Sequence, residues 1–293
     1  MPQILFHKNC ADGTGAKFAA WTKFGSNASY TSVQYGDPVP DIQDGQDIYI
    51  LDFSYPRDVL EQLRLRSKSI LVLDHHKTAQ EALTGLPYAQ FDMNKSGAVL
   101  AWEHFHPGEQ IPDLLLDIQD RDLWKWEREN SKAVSAGLPL LKNDMFRWGN
   151  VAQDAWEYTG LVQTGSTKIL FDEMAIESSL KSVFSFDLYF ENTCYRCGTL
   201  NTTTLGSEIG NAICLKGHDI GLPYFITSDG QLVLSFRSTG DVDVSVMAKY
   251  LGGGGHKNAA GAKLDLAALG RIYSNPVLNL AQLKQHVINK NPA

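Results

Sequence analysis

Two histidines stand side by side after an apolar run: Ser69–Leu73 leads straight into Asp74-His75-His76. A second run, Gln3–Phe6, stops at a polar stretch that holds His7, Cys10, Asp12 and Gly13. A third, Asp47–Phe53, carries Asp52 within Leu-Asp-Phe-Ser-Tyr-Pro. A fourth candidate, Asp117-Ile-Gln-Asp120-Arg-Asp122-Leu-Trp, follows a helical stretch. Singly, each has an ordinary explanation. An Asp after a strand often caps a helix, and Asp52 and Asp74 both stand before helix-like segments. Capping does not explain adjacent histidines, nor a His and an Asp together where the first run ends. Carboxylates gathered in one place repel unless cations bind between them. Mixed Asp and His donors with few thiolates suit Mn2+, with Mg2+ as the alternative. Two such ions ~3.5–4 Å apart would activate water and hold phosphoryl oxygens, the chemistry of hydrolysing a phosphorus ester or anhydride.

These residues need elements that bring them together. The runs 3–6, 47–53 and 69–73 read as buried strands. Between them, 14–24 and the segment after Pro56 have apolar residues at helical spacing, as do 96–105 and 112–118. Strands alternating with helices predict a parallel sheet covered on both faces. Parallel strands lie ~4.8 Å apart, and ligands bind at their carboxyl ends, where these residues fall. Residues 150–185 read as helical. Beyond them, 187–190, 195–201, 220–227 and 231–236 are short strand-like segments. The last two are joined by Ser228-Asp229-Gly230, a hairpin signal. A helix over 244–251 runs into four glycines. The expected fold class is α/β: a parallel-sheet domain over 1–150, a helical connection over 151–185 and a smaller mixed α/β domain over 186–293.

The motifs resemble those of the DHH phosphoesterases. Asp74-His75-His76 after an apolar strand is similar to the family signature. His7-Lys-Asn-Cys-Ala-Asp12-Gly13 resembles its first motif, a His followed by two Asp and a Gly, with Cys10 where many members have the first Asp. Asp52 resembles the second motif. Asp120 resembles the fourth, with Asp122 as its rival. Gly252-Gly-Gly-Gly255-His256-Lys-Asn-Ala-Ala-Gly261 is similar to the Gly-rich motif of the DHH-associated domain, and Phe236-Arg237-Ser238 to the strand before it. The resemblance implies that His7, Asp12, Asp52, His75 and Asp120 are metal ligands, Asp52 bridging two Mn2+ ions. It implies that His76 meets the substrate phosphate and that Asp74 orients the histidines. Arg237, Ser238, His256 and the backbone of Gly254 and Gly255 would bind substrate. Cys10 either ligates a metal or leaves that place to water. The implied activity is a Mn2+-dependent phosphodiesterase that cuts short oligoribonucleotides, or linear or cyclic dinucleotides, to mononucleotides. The alternatives are a phosphatase of 3′-phosphoadenosine 5′-phosphate, a polyphosphatase, and a nucleotide-binding protein that has lost catalysis. A homodimer is expected by family analogy alone.

Composition bounds the rest. With 43% apolar and 20% charged residues in 293, the chain can bury a sizeable core. Lys plus Arg is 26 and Asp plus Glu is 33, a net charge of −7, which argues against a long-duplex nucleic-acid partner. No apolar stretch is long enough for a membrane helix. Neither a signal peptide nor a disulfide framework is evident, so a reducing cytoplasm is expected. Cys194, Cys197 and Cys214 lack the partners of a zinc site and read as buried or half-buried thiols. Trp102, Trp124, Trp126, Trp148 and Trp156 could stack on bases, but core and interface packing are favoured. The Arg64–Lys68 cluster reads as a solvated helix end.

Overall fold

A computed structural model describes residues 1–288 and divides the chain into two compact units, 1–169 and 170–293. The first contains β1 (Gln3–His7), α1 (Ala11–Phe24), β2 (Ser29–Val33), β3 (Asp47–Leu51), α2 (Arg57–Arg66), β4 (Ser69–Asp74), α3 (Lys77–Leu83) and β5 (Ala89–Phe91). Then follow α4 (Gly97–Phe105), α5 (Asp113–Asp122), α6 (Ser131–Gly137), α7 (Met145–Gln153) and α8 (Ala155–Leu180). The unit boundary falls inside α8, within the segment expected to be a helical connection.

The five strands of the first unit form one parallel sheet in the order β2-β1-β3-β4-β5. Each of the three inner strands is nearly all apolar, so both of its faces must be covered. The alternation shows how. Ile4, Phe6, Leu51 and Leu73 enter one core with residues of α1, α4 and α5. Leu5, Ile48, Ile50 and Val72 enter the opposite core with Leu60 and Leu63 of α2 and Leu83 of α3. From β1 the chain first steps to β2 on one side, then crosses to β3 on the other. The carboxyl ends of β1 and β3 therefore flank the point where the winding reverses, the usual ligand crevice of such sheets.

The second unit adds β6 (Phe184–Phe190), β7 (Thr193–Thr199), α9 (Gly206–Leu215), β8 (Ile220–Gly221), β9 (Tyr224–Ile226) and β10 (Gln231–Ser238). It ends with α10 (Val244–Tyr250), β11 (Gly254–His256), β12 (Ala259–Asp265), α11 (Ala267–Ser274), β13 (Val277–Asn279) and α12 (Leu280–Lys284). Its mixed sheet runs β11-β12-β10-β8-β7-β6-β13, with β9 also paired to β10. The expected hairpin at Ser228-Asp229-Gly230 joins β9 to β10, with Gly230 at φ 78°. The expected strand 220–227 is two strands, because Pro223 has no N–H to continue a ladder. Among the described residues no helix is long and apolar enough to cross a membrane.

Two placements differ from expectation. Trp102 and Trp148 are core residues, but Trp124 and Trp156 are 74% and 84% exposed. Trp124 packs edge-on against Trp126 instead, with ring centroids 5.2 Å apart. Among the cysteines, Cys197 and Cys214 are buried, but Cys194 is exposed.

Candidate metal centre

Three strands deliver the side chains. His7 closes β1, Asp52 is the first residue after β3, and Asp74 closes β4 with His75 and His76 directly behind it. Asp52 turns at once into left-handed backbone, φ 56°. That conformation disfavours a side chain and clusters at functional positions. Cys10 precedes α1 and Asp12 lies in its first turn, where the helix dipole favours an acid.

These residues form three overlapping groups of potential ligands. His7, Cys10 and Asp52 make one; Asp52, His75 and His76 another; Asp12, His75 and Asp122 the third, with donor atoms in each group within 4.8 Å of one another. Asp52 and His75 each belong to two groups. His75 Nε2 lies 3.1 Å from Asp52 Oδ1, 3.4 Å from Asp122 Oδ2 and 3.6 Å from Asp12 Oδ2.

Asp120 is a correction. Its carboxylate is not in the cluster. It accepts hydrogen bonds from the backbone N–H groups of Glu127 and Arg128, at 3.0 and 3.2 Å, and from Ser131 Oγ. Its carbonyl accepts from Lys125 N and Trp126 N. Asp120 thus pins the loop after α5, and Asp122 joins the ligand groups. Helical phase explains this, since residues two apart on a helix point roughly 200° apart.

Asp74 works as a bracket. Its Oδ1 lies 2.6 Å from His76 Nδ1 and accepts from the backbone N–H groups of His75 and His76, while Oδ2 accepts from Ser54 Oγ at 2.5 Å. That contact fixes the His76 ring and leaves its opposite nitrogen free of Asp74.

Two residues were not legible as site residues. Gly97 N and Ala98 N, the first N–H groups of α4, donate to Asp12 at 2.5 and 2.9 Å. Gly97 also lies against Asp52, where an added Cβ would collide with the Asp52 Cβ and, at 2.8 Å, with its carboxyl carbon. The only sequence signal was Ser96-Gly97 at the head of an apolar helix, which reads as a cap. Ser96 does accept a bond from Val99 N.

The electrostatics are those of crowded acids. Burial, and then the charges of Asp52 and Asp122, push Asp12 far above the ordinary carboxylate range. Burial and Asp52 raise Asp122. Burial opposes ionisation of Asp52, but its contacts with His7 and His75 outweigh this and hold it at about 2. For His75, burial is outweighed by Asp52 and the surrounding carboxylates, which lift it to about 9. The neighbouring Asp52 raises His7, and Asp74 raises His76. Burial, reinforced by Asp52, pushes the Cys10 thiol up to about 12, so without a cation it stays protonated.

A cation fits this site on one further observation. His7 Nδ1 and Asp52 Oδ2 are buried, face each other at 3.5 Å, and have no hydrogen-bond partner among the described residues. Buried polar atoms are normally partnered. An imidazole nitrogen and a carboxylate oxygen left open to each other are a ready pair of metal donors.

The candidate residues of the second unit fare differently. Arg237 on β10 donates to Ser207 Oγ at 2.6 Å, and His256 at the end of β11 is exposed. Ser238 is corrected as a substrate contact. It is 5% exposed, its hydroxyl donates to Val242 O, and it accepts from Asn258 Nδ2, so it ties a turn. Gly254 and Gly255 lie in regular strand structure and not in a loop. They form edge strand β11, paired to Gly261 and Ala260 of β12. A Cβ on Gly255 (φ 145°) would meet Ala260 Cα at 2.5 Å, so the glycine serves the hairpin's close approach.

The chain is similar to several known proteins. Residues 208–275 match the DHHA1 domain. The uncharacterized protein R106 of Acanthamoeba polyphaga mimivirus is 28% identical over 88% of the chain, which spans 66% of that protein's length. The oligoribonuclease NrnB of Bacillus subtilis is 26% identical over 89% of the chain and 72% of its own length. A pGpG-specific phosphodiesterase of Vibrio cholerae, PggH, shares the fold with a TM-score of 0.52 at 13% identity, over 97% of this chain and 99% of that one. A match to the DHHA1 domain, in a chain whose parallel-sheet unit runs from its fourth strand into Asp74-His75-His76, supports the resemblance to the DHH phosphoesterases.

Proposed function

We propose that this chain is a metal-dependent phosphodiesterase that cleaves short oligoribonucleotides and dinucleotides to mononucleotides. The observation that carries the reading is the convergence of His7, Asp12, Asp52, His75 and Asp122 at the carboxyl ends of β1, β3 and β4, with His7 Nδ1 and Asp52 Oδ2 open to each other. NrnB, a relative along most of the chain, is named an oligoribonuclease. The net charge of −7 disfavours a long polyanion and leaves a short one acceptable.

His7, Asp52, His75, Asp12 and Asp122 would hold the cations, Mn2+ first among candidates because imidazole and carboxylate donors are mixed. Bound there, a divalent cation supplies Lewis acidity to the phosphoryl oxygens and to the attacking water. The remaining work belongs to the chain. Asp74 keeps His76 in one orientation and favours its protonated form, so the ring offers positive charge to a phosphoryl group as charge develops on it. Both oxygens of the buried Asp12 accept from the first N–H groups of α4, which fixes the carboxylate with its Oδ2 3.6 Å from His75 Nε2. Arg237 and His256 are the candidates for substrate binding in the second unit.

Incubation with Mn2+ and a panel of pGpG, pApA, cyclic dinucleotides, 3′-phosphoadenosine 5′-phosphate and polyphosphate tests the reading. Mononucleotides released from the linear dinucleotides are expected. Inactivity on them beside brisk phosphate release from polyphosphate would sink it.

A further inference from the structure

Beside the ligand cluster, and wholly within the first unit, lies a cavity of about 630 Å3 lined in part by His7 and Cys10. Three cationic side chains line it, Lys8, Arg121 and Lys142, and no carboxylate does. None of the three is held in an ion pair among the described residues, unlike Arg66, Lys68, Lys95 and Arg128. In a chain of net charge −7, three uncommitted cations around one hollow are a seat for an anion.

Two further observations point to a ligand. Ser135 lines the cavity, and its Oγ is buried with no hydrogen-bond partner among the described residues. A buried hydroxyl is costly unless something binds it. Asn9 and Lys142, both in the lining, sit in left-handed backbone at φ 56° and 50°, a conformation that suits glycine and opposes other side chains. The Lys142 carbonyl accepts from Trp148 Nε1 at 3.1 Å, which pins the lysine in that position.

We propose that this cavity seats the phosphorylated terminal nucleotide of the substrate, with Lys8, Arg121 and Lys142 on its terminal phosphate and Ser135 Oγ on a polar atom of the nucleotide. The proposal rests on the phosphodiesterase reading and adds what sets substrate length. The volume lies in the usual range of ~300–1,000 Å3 for a small-ligand site, enough to take one nucleotide. Because His7 and Cys10 border the cavity, a nucleotide seated there places its far phosphodiester toward the ligand cluster. The enzyme then measures one nucleotide from a charged end.

The test compares pApA with ApA, which lacks the terminal phosphate, for the wild type and for Lys142→Gly. Wild type is expected to prefer pApA in kcat/KM. Lys142→Gly is expected to lower that preference about tenfold, as loss of one charge-assisted contact should. Its Tm should be unchanged or higher, since glycine suits the left-handed position. The same preference in both proteins, or none in the wild type, overturns the proposal. If neither dinucleotide is cleaved, the phosphodiesterase reading fails, and calorimetric binding of AMP against adenosine still decides the cavity. Tighter binding of AMP that is lost in Lys142→Gly supports the anion seat; equal binding of both ligands refutes it.

Discussion

Gly97, the first residue of α4, lies so close to Asp52 that no side chain fits between them, while its N–H donates to Asp12 at 2.5 Å. One residue thus touches two carboxylates, one just after β3 and the other in the first turn of α1. Replacing Gly97 by Ala should stabilise the helix by about 0.5–1 kcal/mol if helix propensity decided the outcome. The contact with Asp52 predicts the opposite: a loss of about 1–3 kcal/mol from overpacking, and a fall in kcat as Asp52 is displaced. Thermal unfolding and steady-state kinetics on Gly97→Ala give the sign directly.

Asp120 and Asp122 separate structure from chemistry. Asp122→Ala should leave Tm within a few degrees of wild type and reduce kcat by about 100-fold, the scale of one lost charge-stabilising group. Asp120→Ala removes the acceptor for Glu127 N, Arg128 N and Ser131 Oγ, and should cost about 1–3 kcal/mol by leaving buried donors unpaired. Equal Tm values for the two variants would mean that the roles are assigned the wrong way round.

Metal binding should register as stability. Mn2+ at 100 times its dissociation constant adds about 2.7 kcal/mol, visible as a rise in Tm that Asp52→Ala abolishes. The same variant should lower kcat more than tenfold with little change in substrate binding, because it removes a group used in the reaction.

The metal effect should also depend on pH. Contact with Asp52 raises the folded pKa of His7, and the carboxylates overcome burial to lift His75 to about 9. For the metal-free protein, a raised histidine pKa gives stability that is full below the ordinary value of ~6.5 and fades as pH climbs through 9. Metal requires the deprotonated rings. The Mn2+-induced rise in Tm should therefore grow between pH 6.5 and 9, and proton release should accompany binding in calorimetry. A Mn2+ effect that is flat over that window would exclude these histidines as ligands.

In the second unit, His256→Ala and Arg237→Ala should raise KM by about tenfold with a smaller effect on kcat, the pattern of lost uniform binding. Ser238→Ala should instead lower Tm, since its hydroxyl links Val242 O to Asn258.

The amino-acid sequence by itself determined the parallel core and the candidate ligand residues at its strand ends. The inner strands must be covered on both faces, so they are written as apolar runs, and polar residues that follow such runs fall at one edge of the sheet. His7, Asp52, Asp74, His75 and His76 were readable for that reason. Tertiary structure decided what depends on phase and close approach. A helix read over 112–118 leaves Asp120 and Asp122 in an undefined loop; α5 in fact runs from Asp113 to Asp122, and its rotation turns the second toward His75 and the first toward Ser131. Strand β2, Ser-Tyr-Thr-Ser-Val, escaped notice because an edge strand with one buried residue carries no apolar run. The glycines of 252–255 and the hydroxyl of Ser238 were legible as residue types, but their use is not: whether a glycine meets a ligand or a neighbouring strand, and whether a hydroxyl faces water or a turn, is settled by which atoms packing brings within reach.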